Sequence, residues 1–128
     1  MEPKFPSAEA YATEPIRHRP LDVVDIAAEQ RSVTADYSNI ALSKVNASCL
    51  RLAVFQGEYR WHHHPASDEL FLVVDGLLEI DLADGRRLSL CPWQAVVVPA
   101  GTVHRTRAVG RTVNLTFEAM AAETVFAD

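Results

Sequence analysis

The 128-residue chain is short of several things, and each shortage excludes something. It has only two cysteines, Cys49 and Cys91, at a separation that fits neither a zinc nor a redox motif. No disulfide framework is expected, and both thiols should be reduced, as in the cytoplasm. Basic residues are outnumbered, with 12 Lys and Arg against 17 Asp and Glu and a formal net charge of −5. Phosphate-backbone recognition needs a basic surface, so no nucleic-acid partner is expected. No apolar run approaches the ~20 residues of a membrane span, so no membrane partner is expected either. The first residues, MEPKFPSAEAY, lack the apolar core of a secretory signal. There is no Gly-rich phosphate loop and no Gly-x-Ser-x-Gly elbow. The length fits one domain, which can bury enough surface to fold without a disulfide or metal.

Proline is unevenly placed. Pro3, Pro6, Pro15 and Pro20 fall in the first twenty residues, a stretch expected to be an extended arm. Next, Val23, Ile26 and Ala27 fall at helical spacing behind Asp22, a candidate N-cap, so at most one short helix is expected. Residues 21–121 are read as one β-barrel domain and 122–128 as a C-terminal tail.

From Ser48 onward the pattern is strand after strand. Leu50, Leu52 and Val54 alternate with Arg51, Ala53 and Phe55. Further runs follow at Glu58–His64, Glu69–Val74, Leu77–Leu82, Arg87–Cys91, Ala95–Val98, Val103–Ala108 and Thr112–Phe117. Asp75-Gly76 and Asp84-Gly85 are hairpin signals. Many short strands with regular turns predict an all-β antiparallel sandwich or barrel.

Three of the five histidines are consecutive: His62, His63 and His64. On a strand, His62 and His64 share one face and His63 takes the other. Glu69 and His104 each open a later strand. Together, His62, His64, Glu69 and His104 offer a divalent cation four ligands, with positions left for water or substrate.

The joint pattern is Gly57-x4-His62-x-His64-x4-Glu69-x6-Gly76, then Pro99-x-Gly101-x2-His104. It resembles the two motifs of the cupin superfamily, and EYRWHHHPASDELFLVVDG resembles the small single-domain cupins labelled phosphomannose-isomerase-like. Trp93 and Ala108 stand where the broad second motif often has Gly and Asn. The resemblance implies a double-stranded β-helix, or jelly-roll barrel. It also implies one divalent metal ion (Mn, Fe, Ni or Zn) in the barrel mouth, held by His62, His64, Glu69 and His104. Small cupins commonly pair, so a homodimer is implied as well.

Strand parity supplies neighbours for the site. Arg60, Phe71 and Thr106 share the faces of the ligands and are candidate substrate contacts. Asp68 is a candidate to orient a ligating imidazole. Trp61 and His63 face away. Arg105 and Arg107, with Arg111 beyond the next turn, form either a small anion patch or a solvated face of ion pairs. Tyr59 and Glu58 are the only general-base candidates beyond the ligands.

Two functions are weighed above a purely structural barrel. One is a metal-dependent enzyme on a small polar metabolite, isomerase-like with a redox-inert ion or dioxygenase-like with iron or manganese. The other is a non-catalytic cupin that binds a metabolite or metal.

Overall fold

The computed structural model describes residues 5–128. Pro3 lies outside the described residues. Two short helices, α1 (Ala8–Thr13) and α2 (Ile26–Arg31), precede nine strands. These are β1 (Tyr37–Val45), β2 (Ser48–Glu58), β3 (His62–His63), β4 (Glu69–Asp75), β5 (Leu78–Leu82), β6 (Arg87–Leu90), β7 (Ala95–Val98), β8 (His104–Ala119) and β9 (Val125–Phe126). Every pairing is antiparallel, and the strands curl into a jelly-roll half-barrel.

The long strand β8 organises the barrel. One of its edges pairs with β2 and, at His104, with β3. Its other edge pairs first with β5 and then with β4. Because β2 is covered on both faces, its alternating side chains build two cores. Ala53 and Phe55 point into the barrel with Phe71, Val73, Leu78 and Ile80. Leu52 and Val54 point outward, under Val24 and Ile26 of the α2 segment.

The structure departs from the expected pattern at several places, among them an extra strand, β1, before Ser48 and the fusion of the last two expected runs into β8. The arm is not extended throughout, because α1 fits between Pro6 and Pro15 with Ser7 capping the N–H of Ala10. A second helix, α2, starts later than expected: Asp25 rather than Asp22 caps it, accepting from Ala28 N. The expected strand over Glu58–His64 is broken: Glu58 ends β2 opposite Arg107, and pairing resumes only at His62 and His63. Finally, Asp75-Gly76 is not a hairpin. Strands β4 and β5 do not pair with each other but follow one another along the edge of β8. Asp84-Gly85 is the hairpin expected, joining β5 to β6.

Gly76 explains why the first signal misleads. It has φ +90°, and a Cβ there would lie 2.6 Å from Thr112 Oγ1 and 2.7 Å from the Arg111 carbonyl oxygen. Thr112 Oγ1 accepts from Leu77 N and locks the corner. The glycine thus serves close contact with β8 rather than a tight reversal.

On the outer face of β5, Asp81 accepts hydrogen bonds from Arg87 at 2.7 Å and from Arg105 and Arg107 at 2.9 Å. Burial alone would raise this carboxyl, but the arginines outweigh it and its pKa is lowered. Arg105 and Arg107 also reach Glu58, and Arg111 bonds Gln30. All three arginines flagged in the sequence therefore sit in local ion-pair or hydrogen-bond networks.

Two outcomes test this account. Gly76→Ala should lower stability by about 2–4 kcal/mol in urea denaturation, since backbone must move. Gly85→Ala, with φ +95° and open space, carries only the left-handed penalty of about 1 kcal/mol. Asp81→Asn should destabilise at neutral pH. A lowered folded-state pKa stabilises above the unfolded value of 3.8, and that contribution disappears as pH falls through the folded value. The gap between wild type and variant should therefore narrow as pH falls below 3.8.

Candidate metal centre

Pairing across β3 and β8 sets His62 directly opposite His104. Their rings lie 4.4 Å apart, and the His64 ring lies 5.2 Å from that of His62. The period-two reading thus places His62 and His64 on one side, both buried. Glu69, the first residue of β4, enters the same space: its Oε1 is 3.1 Å from His64 Nε2 and 3.8 Å from His104 Nε2.

Each imidazole is oriented by the backbone. His62 Nδ1 lies 2.8 Å from the Arg60 carbonyl, His64 Nδ1 3.0 Å from that of Glu123, and His104 Nδ1 2.8 Å from that of Thr102. A carbonyl only accepts, so each Nδ1 carries the hydrogen and donates it. In the neutral ring, Nε2 is then the lone-pair atom. One nitrogen each of His62 and His104 and one oxygen of Glu69 lie within 4.8 Å of one another. His64, Glu69 and Glu118 form an overlapping group within the same distance. His104 Nε2 is buried and has no hydrogen-bond partner, in a residue 1% exposed. A buried nitrogen lone pair without a donor is what a cation would satisfy, so the donor set fits a divalent metal.

Electrostatics agree with this packing. Burial, reinforced by the neighbouring His104, depresses His62 to about 4, so it is neutral at physiological pH. Burial also opposes charge on His64, but the hydrogen bond and charge of Glu69 prevail and its pKa rises. The neighbouring imidazoles, His104 foremost and then His64, overcome burial at Glu69 and lower its pKa. Burial and the charge of Glu69 push Glu118 up to about 7.

His62, His64, Glu69 and Glu118 line a cavity of about 680 Å³, counting its open mouth, and His104 lies buried behind them. Phe71 and Thr106, both expected near the ligands, line it. Arg60 does not line it. Its guanidinium is held by Asp128 at 2.7 and 2.9 Å and lies 3.6 Å over the Phe126 ring. Asp68 orients no imidazole: its carboxylate accepts from Ala100 N, while backbone carbonyls hold the rings. Trp61 stacks beneath Arg105. Both cysteines are free, Cys49 buried and Cys91 exposed.

Several cavity residues escaped the sequence reading. Arg51 points inward, 5% exposed, and bonds Glu14 and Asn39 through NH1 and the Tyr11 carbonyl through NH2. Its parity with Ala53 and Phe55 was the available signal. Asn114, Thr116 and Glu118 alternate inward along β8. Tyr11, Tyr37 and Tyr59 meet through their hydroxyls at the mouth, with burial foremost in raising each pKa, so they stay protonated.

A jelly-roll barrel with a buried His/Glu cluster that can hold a metal defines the class of protein. The chain belongs to the cupin family: the cupin-domain model matches residues 51–118. It is similar to YdbB of Bacillus subtilis (strain 168), an uncharacterised protein, at 53% identity over 93 residues, 73% of this chain and 82% of that one. Among solved structures, a cupin-2 domain containing protein from Shewanella frigidimarina shares 25% identity with a TM-score of 0.72, over 76% of this chain and 94% of that one. A protein from Neisseria meningitidis shares the fold at 21% identity and a TM-score of 0.71, over 77% and 99%. No described helix is long and apolar enough to cross a membrane.

Arg51 provides the test of the cavity wall. Its side chain is 6% exposed and balances Glu14 at 2.8 Å and Glu118 at 3.7 Å. Arg51→Met strands those carboxylates and should lower stability by about 3 kcal/mol in urea denaturation. Glu14→Gln, at the more exposed end, should lose about 1 kcal/mol.

Proposed function

We propose that this protein is a divalent-metal cupin acting on a small polar metabolite, with His62, His64, Glu69 and His104 as ligands to one ion. The observation that carries this is the unpartnered Nε2 of His104, buried and turned towards Glu69. Three imidazoles and a carboxylate suit manganese, iron, nickel or zinc. Such an ion would polarise a substrate carbonyl or hydroxyl, supporting isomerase-like chemistry, or would support dioxygenase-like chemistry if redox-active.

The chain's own residues then divide the work. Backbone carbonyls of Arg60, Thr102 and Glu123 hold the ligand rings in orientation. Phe71 and Thr106 face the substrate space and shape it. Glu118 supplies the acid–base group that the sequence left unassigned. Its Oε2 is buried with no hydrogen bond, 3.5 Å from His64 Nε2, and it lines the cavity. Tyr59, whose ring packs edge-on against His62, donates from its hydroxyl rather than acting as a base.

Elemental analysis of untagged protein tests the reading. Near-stoichiometric first-row metal is expected in the wild type and in His63→Ala. His62→Ala, His64→Ala, Glu69→Ala and His104→Ala should each lose at least about 90% of it. Equal loss in His63→Ala would overturn the ligand assignment. Full metal content without turnover on any small hydroxylated or carbonyl compound would identify a binding module instead.

A further inference from the structure

The interior of the barrel carries a polar ladder that no metal ligand uses. Asn114, Thr116 and Glu118 stand at alternate positions on β8 and all line the cavity. Asn114 is 1% exposed and Thr116 4% exposed. Asn114 Oδ1, Thr116 Oγ1 and Glu118 Oε2 are all buried without a hydrogen-bond partner among the described residues. Buried oxygens in native proteins nearly always have a partner, so three in a row aimed into one cavity point to a guest that supplies them.

The chemistry of the guest follows from what is free and what is taken. Arg51 is the only Lys or Arg among the described residues lining the cavity. Its fork is already committed to Glu14, Asn39 and the Tyr11 carbonyl, with Glu118 at 3.7 Å. Those bonds leave Arg51 a poor anchor for a carboxylate or phosphate at the ladder, and the neighbouring Glu118 disfavours an anion there, away from the metal cluster. An apolar guest would leave the three oxygens stranded against carbon. What remains is a neutral molecule rich in hydroxyls, each able to donate to these oxygens. Phe71 stands directly opposite Thr116 across the β4–β8 pair and offers a flat apolar face to the carbon skeleton.

We propose that the cavity binds a small neutral polyhydroxy compound, its hydroxyls held by Asn114 and Thr116 beside the metal cluster. This rests on the reading of the cavity as the substrate site and names its substrate class. Asn114 and Thr116 are specificity residues, and neither belongs to the ligand set.

The test uses full-length protein and three four-carbon probes: erythritol, succinate and 1-butanol. Binding is followed by saturation-transfer NMR, with metal content measured on the same sample. Erythritol should bind saturably and more tightly than either other probe. Asn114→Leu and Thr116→Val, close in volume to the native side chains, should each weaken it about three- to tenfold. Circular dichroism checks that both variants fold, and either one that does suffices. The proposal is overturned if succinate or 1-butanol binds more tightly, if no erythritol binding is seen, or if a folded variant binds as wild type does. A chelator-treated sample separates the two ideas. Erythritol binding that persists there and depends on Thr116 would uphold this inference even if the metal reading failed. Full metal content with erythritol binding absent would sink this inference alone.

Discussion

Three hydrogen bonds from imidazole Nδ1 to backbone carbonyl hold the buried His/Glu cluster together. They fix the orientation of histidines, which rotate freely on a surface, so that the Nε2 atoms face one space. The carbonyls belong to Arg60, Thr102 and Glu123, three separate stretches of chain. The site therefore depends on the barrel being closed: β3 must pair with β8 on one side and with β9 on the other. Here the fold and the function are the same constraint, because the pairing that puts His62 opposite His104 also buries them both.

The barrel interior is divided along its length. Leu78, Ile80, Leu90 and Val98 belong to its apolar core. His62, His64, Arg51, Asn114, Thr116 and Glu118 line the other end, where polar groups are buried at a cost unless something satisfies them. A barrel could be made more stable by replacing these with aliphatic residues. Their presence, with oxygens and a nitrogen left unpartnered, marks a site where stability is traded for binding capacity.

The sequence revealed the local part of this arrangement. Period two placed His62 and His64 together and set Phe71 and Thr106 inward, since parity needs only nearest neighbours. It did not reveal partners set by the far ends of the chain. Arg60 has the right parity, yet Asp128 captures its guanidinium, and no local pattern announces a contact across so much chain. Glu118 was invisible for a similar reason: its role depends on Glu69 and His64 lying opposite, which only closure brings about. Asp75-Gly76 shows the converse limit. The dipeptide reads as a hairpin because glycine permits positive φ, but here that freedom serves the close passage of β8. Proline had a similar effect in the arm, where Pro6 and Pro15 bound α1 rather than prevent it.

The arm also alters where specificity resides. Segments on both sides of the central strands cover the cavity mouth. The N-terminal side supplies Tyr11 to the cavity wall and Glu14 to Arg51, and Phe5 packs edge-on against Tyr37 and Tyr59 at 4.9 Å each. The arm is registered by backbone bonds from Arg17 and His18 to β1, and His18 ties it to Glu29 of α2. The C-terminal side supplies Thr124 to the wall and the Glu123 carbonyl to His64. The residues that could hold a metal come from the central strands, while much of the mouth comes from segments outside residues 51–118. By pairing with Arg51 at 2.8 Å, Glu14 neutralises the one guanidinium lining the cavity among the described residues, so a residue far from the His/Glu cluster in sequence shapes the charge inside it.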